Sequence, residues 1–144
     1  MPNCKSGLKL SCEIRCLDPA AVESALRRLD PTGMERIAYT CQLSGKEEEV
    51  LLVGDQLAPR LAEALPEAED ANGARILAAL CSAELCECDV ATLTGLPEEK
   101  AVRRLRRFAA TGLLVHRILH AMDHYKLGSA TARQTIERAI DALP

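Results

Sequence analysis

The chain is poor in aromatic side chains, since its 144 residues include two tyrosines, one phenylalanine and no tryptophan. This scarcity argues against a surface that stacks nucleic-acid bases on aromatic rings and against an aromatic β-sandwich core. No apolar run approaches the ~18 residues that a membrane span needs, and the amino terminus lacks the apolar stretch of a secretion signal. We therefore expect one soluble cytoplasmic protein without a membrane partner, with Leu, Ala, Ile and Val filling its core.

The sequence also lacks the motifs of common enzyme classes. We find no Ser/His/Asp or Cys/His order, no glycine-rich phosphate loop and no zinc-peptidase helix motif. The interpretation that follows is a binding protein and not an enzyme.

Cysteine is abundant by contrast, with seven residues in a chain whose charge pattern is that of a cytosolic protein. Cys12 and Cys16 are four positions apart, which places both sulfurs on one side of a helical turn. Cys86 and Cys88 alternate around one residue, which places both sulfurs on one side of an extended segment. Two such pairs supply four thiolates, enough for a tetrahedral Zn(II)-like site or a softer Cd(II) or Pb(II) site.

Other interpretations of these residues stay open. Free cysteines more often act as small buried apolar groups, as we expect for Cys41 and Cys81. His116, His120 and His124 recur every four positions, which suggests either a second metal cluster or exposed histidines that contact DNA phosphate or nothing.

Residues 1–54 are expected to form an amino-terminal extension. Its first 18 residues form a polar arm, and Asp18-Pro19 then provides the N-cap and first position of a helix that ends at residues 30–33. Residues 36–43 and 49–53 are β-prone and flank a turn-rich gap, which predicts a hairpin.

Residues 55–144 are expected to form a mainly α-helical domain with a small β-wing. Two helices come first, the second after the breakers Asn72-Gly73. A short helix at 88–93, a turn around Gly95 and a longer helix from Pro97 to Ala110 then predict a helix-turn-helix. Runs 113–119 and 124–127, joined by 120–123, predict the wing, and a last helix follows Gly128. The expected fold is thus a homodimeric winged helix-turn-helix.

Positive charge is concentrated in this domain. Residues 96–126 carry seven Lys/Arg against three Asp/Glu, whereas the whole chain has a net charge of −3. A helix with one apolar stripe and several guanidinium groups is typical of a recognition helix in a DNA major groove, although a solvated cationic face is the alternative. The candidate DNA-binding residues are Lys100, Arg103, Arg104, Arg106, Arg107 and Arg117.

Residues 84–91, with the sequence Glu-Leu-Cys-Glu-Cys-Asp-Val-Ala, resemble the metal-box signature of the ArsR/SmtB family of winged-helix repressors. The resemblance extends over about residues 55–144 and includes the Gly95 turn. It implies a homodimeric repressor that binds operator DNA when metal-free and dissociates when it binds a metal ion.

The arm motif, residues 12–16 with the sequence Cys-Glu-Ile-Arg-Cys, resembles the cadmium/lead-sensing CadC branch of that family. This resemblance implies that Cys12 and Cys16 of one subunit join Cys86 and Cys88 of the other around one ion. Cd(II) or Pb(II) is the implied ion, with Zn(II) and Hg(II) as further candidates. No third metal-box cysteine follows, which disfavours As(III). Ser129, Thr131 and Ala142 stand where relatives carry a zinc site on the last helix.

Two rival functions remain. The first is a thiol-based redox or sulfur-species sensing repressor, in which either cysteine pair oxidises to a disulfide. The second is a binding module stapled by a structural zinc ion, which a chelator would unfold.

Overall fold

The computed structural model describes residues 17–41 and 45–143. In this part of the chain six α-helices, one 3₁₀ turn and five strands follow one another. The helices are α1 (Pro19–Arg28), α2 (Leu57–Ala64), α3 (Ala71–Leu80), α4 (Glu87–Thr94), α5 (Glu98–Ala110) and α6 (Ala130–Asp141). The strands are β1 (Met34–Thr40), β2 (Glu47–Val53), β3 (Leu85–Cys86), β4 (Leu114–Leu119) and β5 (Met122–Leu127), and the 3₁₀ turn is Pro66–Ala68.

Helix α1 begins as its sequence predicts. The Asp18 side chain accepts a hydrogen bond from the Ala20 N–H at the helix start, and Pro19 occupies the first turn. Val22 and Ala25 are buried on its inner face.

Strands β1 and β2 form the expected hairpin, and each begins two residues before its predicted run. Met34 pairs with Val53 at one end and Thr40 with Glu47 at the other. Part of the predicted first run, residues 42–43, lies outside the described residues. All four residues from Val50 to Val53 are buried, because the carboxyl-terminal half of β2 is covered on both faces.

Helices α2 and α3 are joined through the 3₁₀ turn, and here one sequence expectation is wrong. Asn72 and Gly73 do not precede the second helix but lie in its first turn, after the N-cap Asp70. Asp70 accepts a hydrogen bond from the Gly73 N–H at 2.9 Å, so a strong cap starts the helix despite its breakers. The absence of a side chain at residue 73 lets the helix approach the preceding turn closely.

The second sheet has the strand order β3-β5-β4, and all pairs are antiparallel. Helix α4 follows β3 directly, and Gly95, in the left-handed region at φ 75°, ends it before α5. The expected four-residue wing turn is wrong, because Leu119 pairs with Met122 and only His120 and Ala121 form the connection. Both have positive φ, 52° and 66°, as a two-residue type I′ turn requires, without the Asn-Gly signal that would have revealed it.

The architecture is mixed α/β, and it is compatible with a helix-turn-helix followed by a wing. The expectation of a mainly α-helical fold with a small β-wing is corrected in this respect, because the predicted amino-terminal hairpin and the added strand β3 give the described chain two small sheets. Apolar residues from both sides of residue 54 belong to one core cluster, which includes Leu17, Tyr39, Leu52, Leu61 and Leu105. Within residues 17–41 and 45–143 no helix combines the length and the apolar character needed to span a membrane.

Gly73→Ala should destabilise the protein. A Cβ at this position would lie 1.8 Å from the Ala68 carbonyl oxygen, so α3 or the 3₁₀ turn must move. We expect the free energy of unfolding in urea to fall by about 2–3 kcal/mol. Gly33→Ala is the matched control, since its Cβ would meet nothing closer than 3.3 Å. Equal losses in the two variants would contradict this explanation.

Candidate functional site

Cys86 and Cys88 lie where β3 passes into α4. Cys86 ends the strand with an extended backbone and serves as the N-cap residue, and Cys88 lies in the first turn of the helix. Both are buried, and together with Met122 they form a small cluster apart from the main core. A helix amino terminus favours the thiolate form of cysteine, so this position suits sulfur that must bind a cation.

The oxidation states of the described cysteines differ. Cys41, Cys81 and Cys86 carry thiols, whereas Cys88 is disulfide-bonded. A disulfide between Cys86 and Cys88, one form of the redox alternative, is therefore not present here. Burial raises the pKa of Cys81 to about 11, in keeping with the expected core role of that residue.

The other two predicted metal ligands, Cys12 and Cys16, lie outside the described residues. In residues 17–41 and 45–143 no group of three or more His, Cys, Asp or Glu side chains is placed to hold a metal ion. The four-thiolate site thus stays a prediction, and the described part contributes one of its two sulfur pairs.

A buried carboxylate next to Cys88 joins the amino-terminal extension to α4. Asp89 is fully buried and accepts hydrogen bonds from the Leu17 N–H at 3.0 Å and from the Tyr39 hydroxyl at 3.1 Å. Leu17 directly follows Cys16 in the sequence. The carboxylate therefore brings the start of the described chain to the first turn of α4. Sequence reasoning missed this role, because an acid in a first turn is also explained by the helix dipole.

The segment from Cys86 to Cys88 is also joined to β5. Cys86 pairs in register with His124 of β5, and the Tyr125 hydroxyl donates to Glu87 Oε2 at 3.0 Å. Burial, with the charge of Glu87, raises the pKa of Tyr125 above its usual range. The tyrosine consequently stays protonated as a donor, and a displacement of β3 would be transmitted to β5.

The recognition-helix candidate α5 has one buried and one cationic side. Ala101, Leu105 and Phe108 are buried at helical spacing. Lys100, Arg103 and Arg106 are exposed on the remaining surface. This division agrees with the predicted apolar stripe. Lys100 and Arg103 face solvent, whereas the Arg106 side chain also reaches the Tyr125 hydroxyl.

The other three predicted DNA-binding arginines make forked ion pairs within the chain. Arg104 donates to both oxygens of Asp70 at 2.6 and 2.7 Å, and Arg107 donates to both oxygens of Glu69 at 3.1 and 2.7 Å. Arg117 in β4 donates to both oxygens of Glu84, which lies shortly before Cys86 in the sequence, at 2.5 and 2.7 Å. These arginines bind partners 33–38 residues away, so sequence spacing gave no signal for them.

The wing histidines do not form a joint site. His116 stacks on Tyr125 and lies 2.5 Å from an Asp123 carboxylate oxygen. His124 neighbours Tyr125 on β5, so its side chain points to the opposite face of the sheet, where its Nδ1 lies 3.1 Å from the Met122 carbonyl oxygen. His120 occupies the turn.

No protein-family model matches the chain, and no curated protein sequence is significantly similar to it. The likeness to metal-responsive repressors consequently depends on the motifs at residues 12–16 and 84–91.

Tyr39→Phe should weaken the attachment of the extension. The variant keeps the ring but removes one hydrogen bond to the buried Asp89 carboxylate. We expect the free energy of unfolding in urea to fall by about 1.5–3 kcal/mol. Thr40→Val, at an exposed position on the same strand, should change it by less than about 0.5 kcal/mol. A Tyr39→Phe protein as stable as the wild type would show that the hydrogen bond from Tyr39 to Asp89 does not stabilise the fold.

Asp70→Asn should reveal the pH dependence of the α5 contact. The Arg104 guanidinium lowers the pKa of Asp70 from 3.8 to about 2, so the charged pair stabilises the fold above pH 3.8 and this contribution is lost as the pH falls through 2. Asparagine keeps the N-cap and removes the charge. Because the pair is partly exposed, we expect a loss of about 0.5–1 kcal/mol at pH 7 that disappears near pH 2. Unfolding curves recorded at several pH values between 7 and 2 measure this loss. A loss that does not change with pH would contradict the assignment of the lowered pKa to the Arg104–Asp70 pair.

Proposed function

We propose that this protein is a metal-responsive transcriptional repressor of the winged helix-turn-helix type, acting in the cytoplasm as a homodimer. In this proposal α4 and α5 form the helix-turn-helix, and β4 and β5 form the wing. The observation that carries it is the position of Cys86 and Cys88 at the start of α4, in contact with both the wing sheet and the cationic helix. A cation bound there would act at the hinge of the DNA-binding unit.

The proposed DNA interface contains fewer residues than the six candidates taken from the sequence. Lys100, Arg103 and Arg106 supply the phosphate and base contacts, since their exposed side chains lie opposite the buried stripe. Arg104 and Arg107 instead orient α5 by binding Asp70 and Glu69. In a dimer two such helices enter successive major grooves about 34–36 Å apart.

The proposed metal site fits the chemistry of the described donors. Cys86 and Cys88 are buried sulfurs in one cluster, and reduced thiolates select soft or borderline ions such as Cd(II), Pb(II), Zn(II) and Hg(II). Cys16 is covalently joined to Leu17, which donates to Asp89 beside Cys88. The arm cysteines Cys12 and Cys16 complete the thiolate set in this proposal.

The switch follows from what these residues connect. Cys86 belongs to the strand that pairs with β5, and Cys88 belongs to the first helix of the DNA-binding unit. When their sulfurs and those of the arm converge, β3 and α4 are restrained together, and the recognition helices of the dimer no longer match the groove spacing. The required coupling between the two sites is about 1–3 kcal/mol.

A redox repressor on the same scaffold is the second candidate function. The observation that favours it is the disulfide of Cys88. In this alternative, mild oxidant releases DNA in the presence of a metal chelator, and a reductant restores binding. A metal-responsive repressor in its reduced form binds DNA in chelator and is released by metal alone.

Anisotropy of a labelled duplex from the protein's own promoter tests the metal function directly. The reduced, metal-free protein should bind, and Cd(II) should weaken binding by about 5–150-fold, with Pb(II) and Zn(II) compared in parallel. Cys86→Ser should bind DNA but lose both the metal response and the thiolate-to-Cd(II) ultraviolet absorption.

Cys81→Ser is the matched control, since Cys81 is also a buried thiol but belongs to the main core. It should retain both the absorption and the metal response. If Cys86→Ser keeps them as well, the metal assignment is wrong. If metal tightens or does not alter DNA binding by the wild type, the proposed direction of regulation is wrong.

A further inference from the structure

The Tyr125 hydroxyl joins the wing sheet to both helices of the proposed helix-turn-helix. It donates a hydrogen bond to Glu87 Oε2 of α4 at 3.0 Å, and the Arg106 guanidinium of α5 reaches the same hydroxyl. A guanidinium carries donors only, whereas a hydroxyl has one proton and two lone pairs. Because the tyrosine proton goes to Glu87, Arg106 donates to the hydroxyl oxygen. The three side chains therefore form a hydrogen-bond relay, from guanidinium to hydroxyl to carboxylate.

Tyr125 is fixed in place at the centre of this relay. It lies on β5, the central strand of its sheet, and pairs in register with Leu85 on one side and His116 on the other. Its ring stacks on the His116 ring with the centroids 5.0 Å apart, and only 1% of the residue is exposed. A side chain packed on all sides keeps one rotamer, so the sheet determines where the hydroxyl lies.

Glu87 supplies a charged anchor at the far end of the relay. It lies in the first turn of α4 and is 2% exposed. A buried carboxylate is costly unless hydrogen bonds and positive charge compensate it, and the relay brings the charge of Arg106 within one hydroxyl of it. Hydrogen bonds to charged groups are shorter and stronger than neutral ones. The contact between Arg106 and Tyr125 is therefore suited to hold a long side chain.

Arg106 keeps donors for a second partner. The residue is exposed, and its guanidinium has five N–H groups, of which one hydroxyl oxygen engages a minority. A long side chain loses rotamer freedom when it binds a partner, and an arginine that is already ordered loses less of it. Ordering by Tyr125 thus favours any contact that the exposed part of Arg106 makes.

We infer that Tyr125 is a positioning residue that orders Arg106 for contact with DNA. This inference rests on the proposed function and deepens it, because it assigns to a buried wing residue the preparation of the recognition helix. Glu87 lies between Cys86 and Cys88 in the sequence, so the relay also links that segment to Arg106.

Nuclear magnetic resonance of the arginine Nε–H groups tests the relay without DNA. In the full-length, reduced and metal-free protein, the Arg106 side chain should have a clearly higher order parameter than Arg103, an exposed arginine of the same helix. Tyr125→Phe, which removes only the hydroxyl, should lower the Arg106 order parameter to that of Arg103. A wild-type Arg106 as mobile as Arg103 overturns the inference, and this comparison needs no variant.

A double-mutant cycle tests what the ordering does for DNA binding, by anisotropy of the labelled promoter duplex. Tyr125→Phe should weaken binding about three- to tenfold, and Arg106→Ala should weaken it about tenfold or more. The double variant should bind within twofold of Arg106→Ala, because the hydroxyl then has no arginine to order. If Tyr125→Phe weakens binding by the same factor in both backgrounds, its effect does not pass through Arg106, and the inference is overturned.

Tyr39→Phe is the matched control for loss of a buried hydroxyl. Tyr39 also donates to a carboxylate in the first turn of α4, at 3.1 Å, but it lies on β1. This variant should bind the duplex within twofold of the wild type, with circular dichroism showing that each variant is folded at the assay temperature. If it weakens binding as much as Tyr125→Phe does, general loosening of α4 explains the loss and the inference is overturned.

The outcomes separate this inference from the proposed function. A protein that releases the promoter duplex on metal binding but has a mobile Arg106 keeps the proposed function and overturns the role of Tyr125. A protein whose Arg106 is ordered by Tyr125, but which binds the promoter duplex no better than a scrambled one, supports the relay and overturns the proposed function.

Discussion

The buried carboxylate of Asp89 is the interaction on which the arrangement around the cysteines depends. It accepts hydrogen bonds from a backbone N–H at residue 17 and from the hydroxyl of Tyr39, so it joins α4 to the extension and to β1. Its two neighbours extend to other elements, Glu87 to Tyr125 in the wing and Cys88 to Glu98 in α5. Three consecutive side chains thus connect the first turn of α4 to three parts of the molecule.

Internal ion pairs determine which cations are available to a partner. Arg104, Arg107 and Arg117 each face a carboxylate in a two-point contact, and such forks fix geometry more than they add stability at partly exposed positions. Some arginines of the recognition-helix candidate therefore fix its orientation, and others remain exposed on its surface. The net positive charge of residues 96–126 therefore overstates the positive charge that is not paired within the chain.

Local signals in the sequence predicted local structure well. The Asp18-Pro19 start of α1, the short helix, Gly95 turn and long helix around the metal box, and the existence of both hairpins are confirmed. The two-residue wing turn was missed because His120 and Ala121 lack turn chemistry. Gly73 was wrongly interpreted as a helix breaker, because glycine is needed there for the close approach of α3 to Ala68. The two hydrogen-bond partners of Asp89 are 72 and 50 residues away, so no local sequence pattern predicts them. The spacing of Cys86 and Cys88, by contrast, is a local pattern that the sequence shows.

The central claim is that one set of residues joins cation binding to DNA binding, and such coupling must be reciprocal. The most direct measurement is the Cd(II) affinity of the reduced protein with and without saturating promoter duplex. The account predicts that DNA weakens Cd(II) binding by the same factor by which Cd(II) weakens DNA binding. Equal Cd(II) affinities in the two titrations would contradict it.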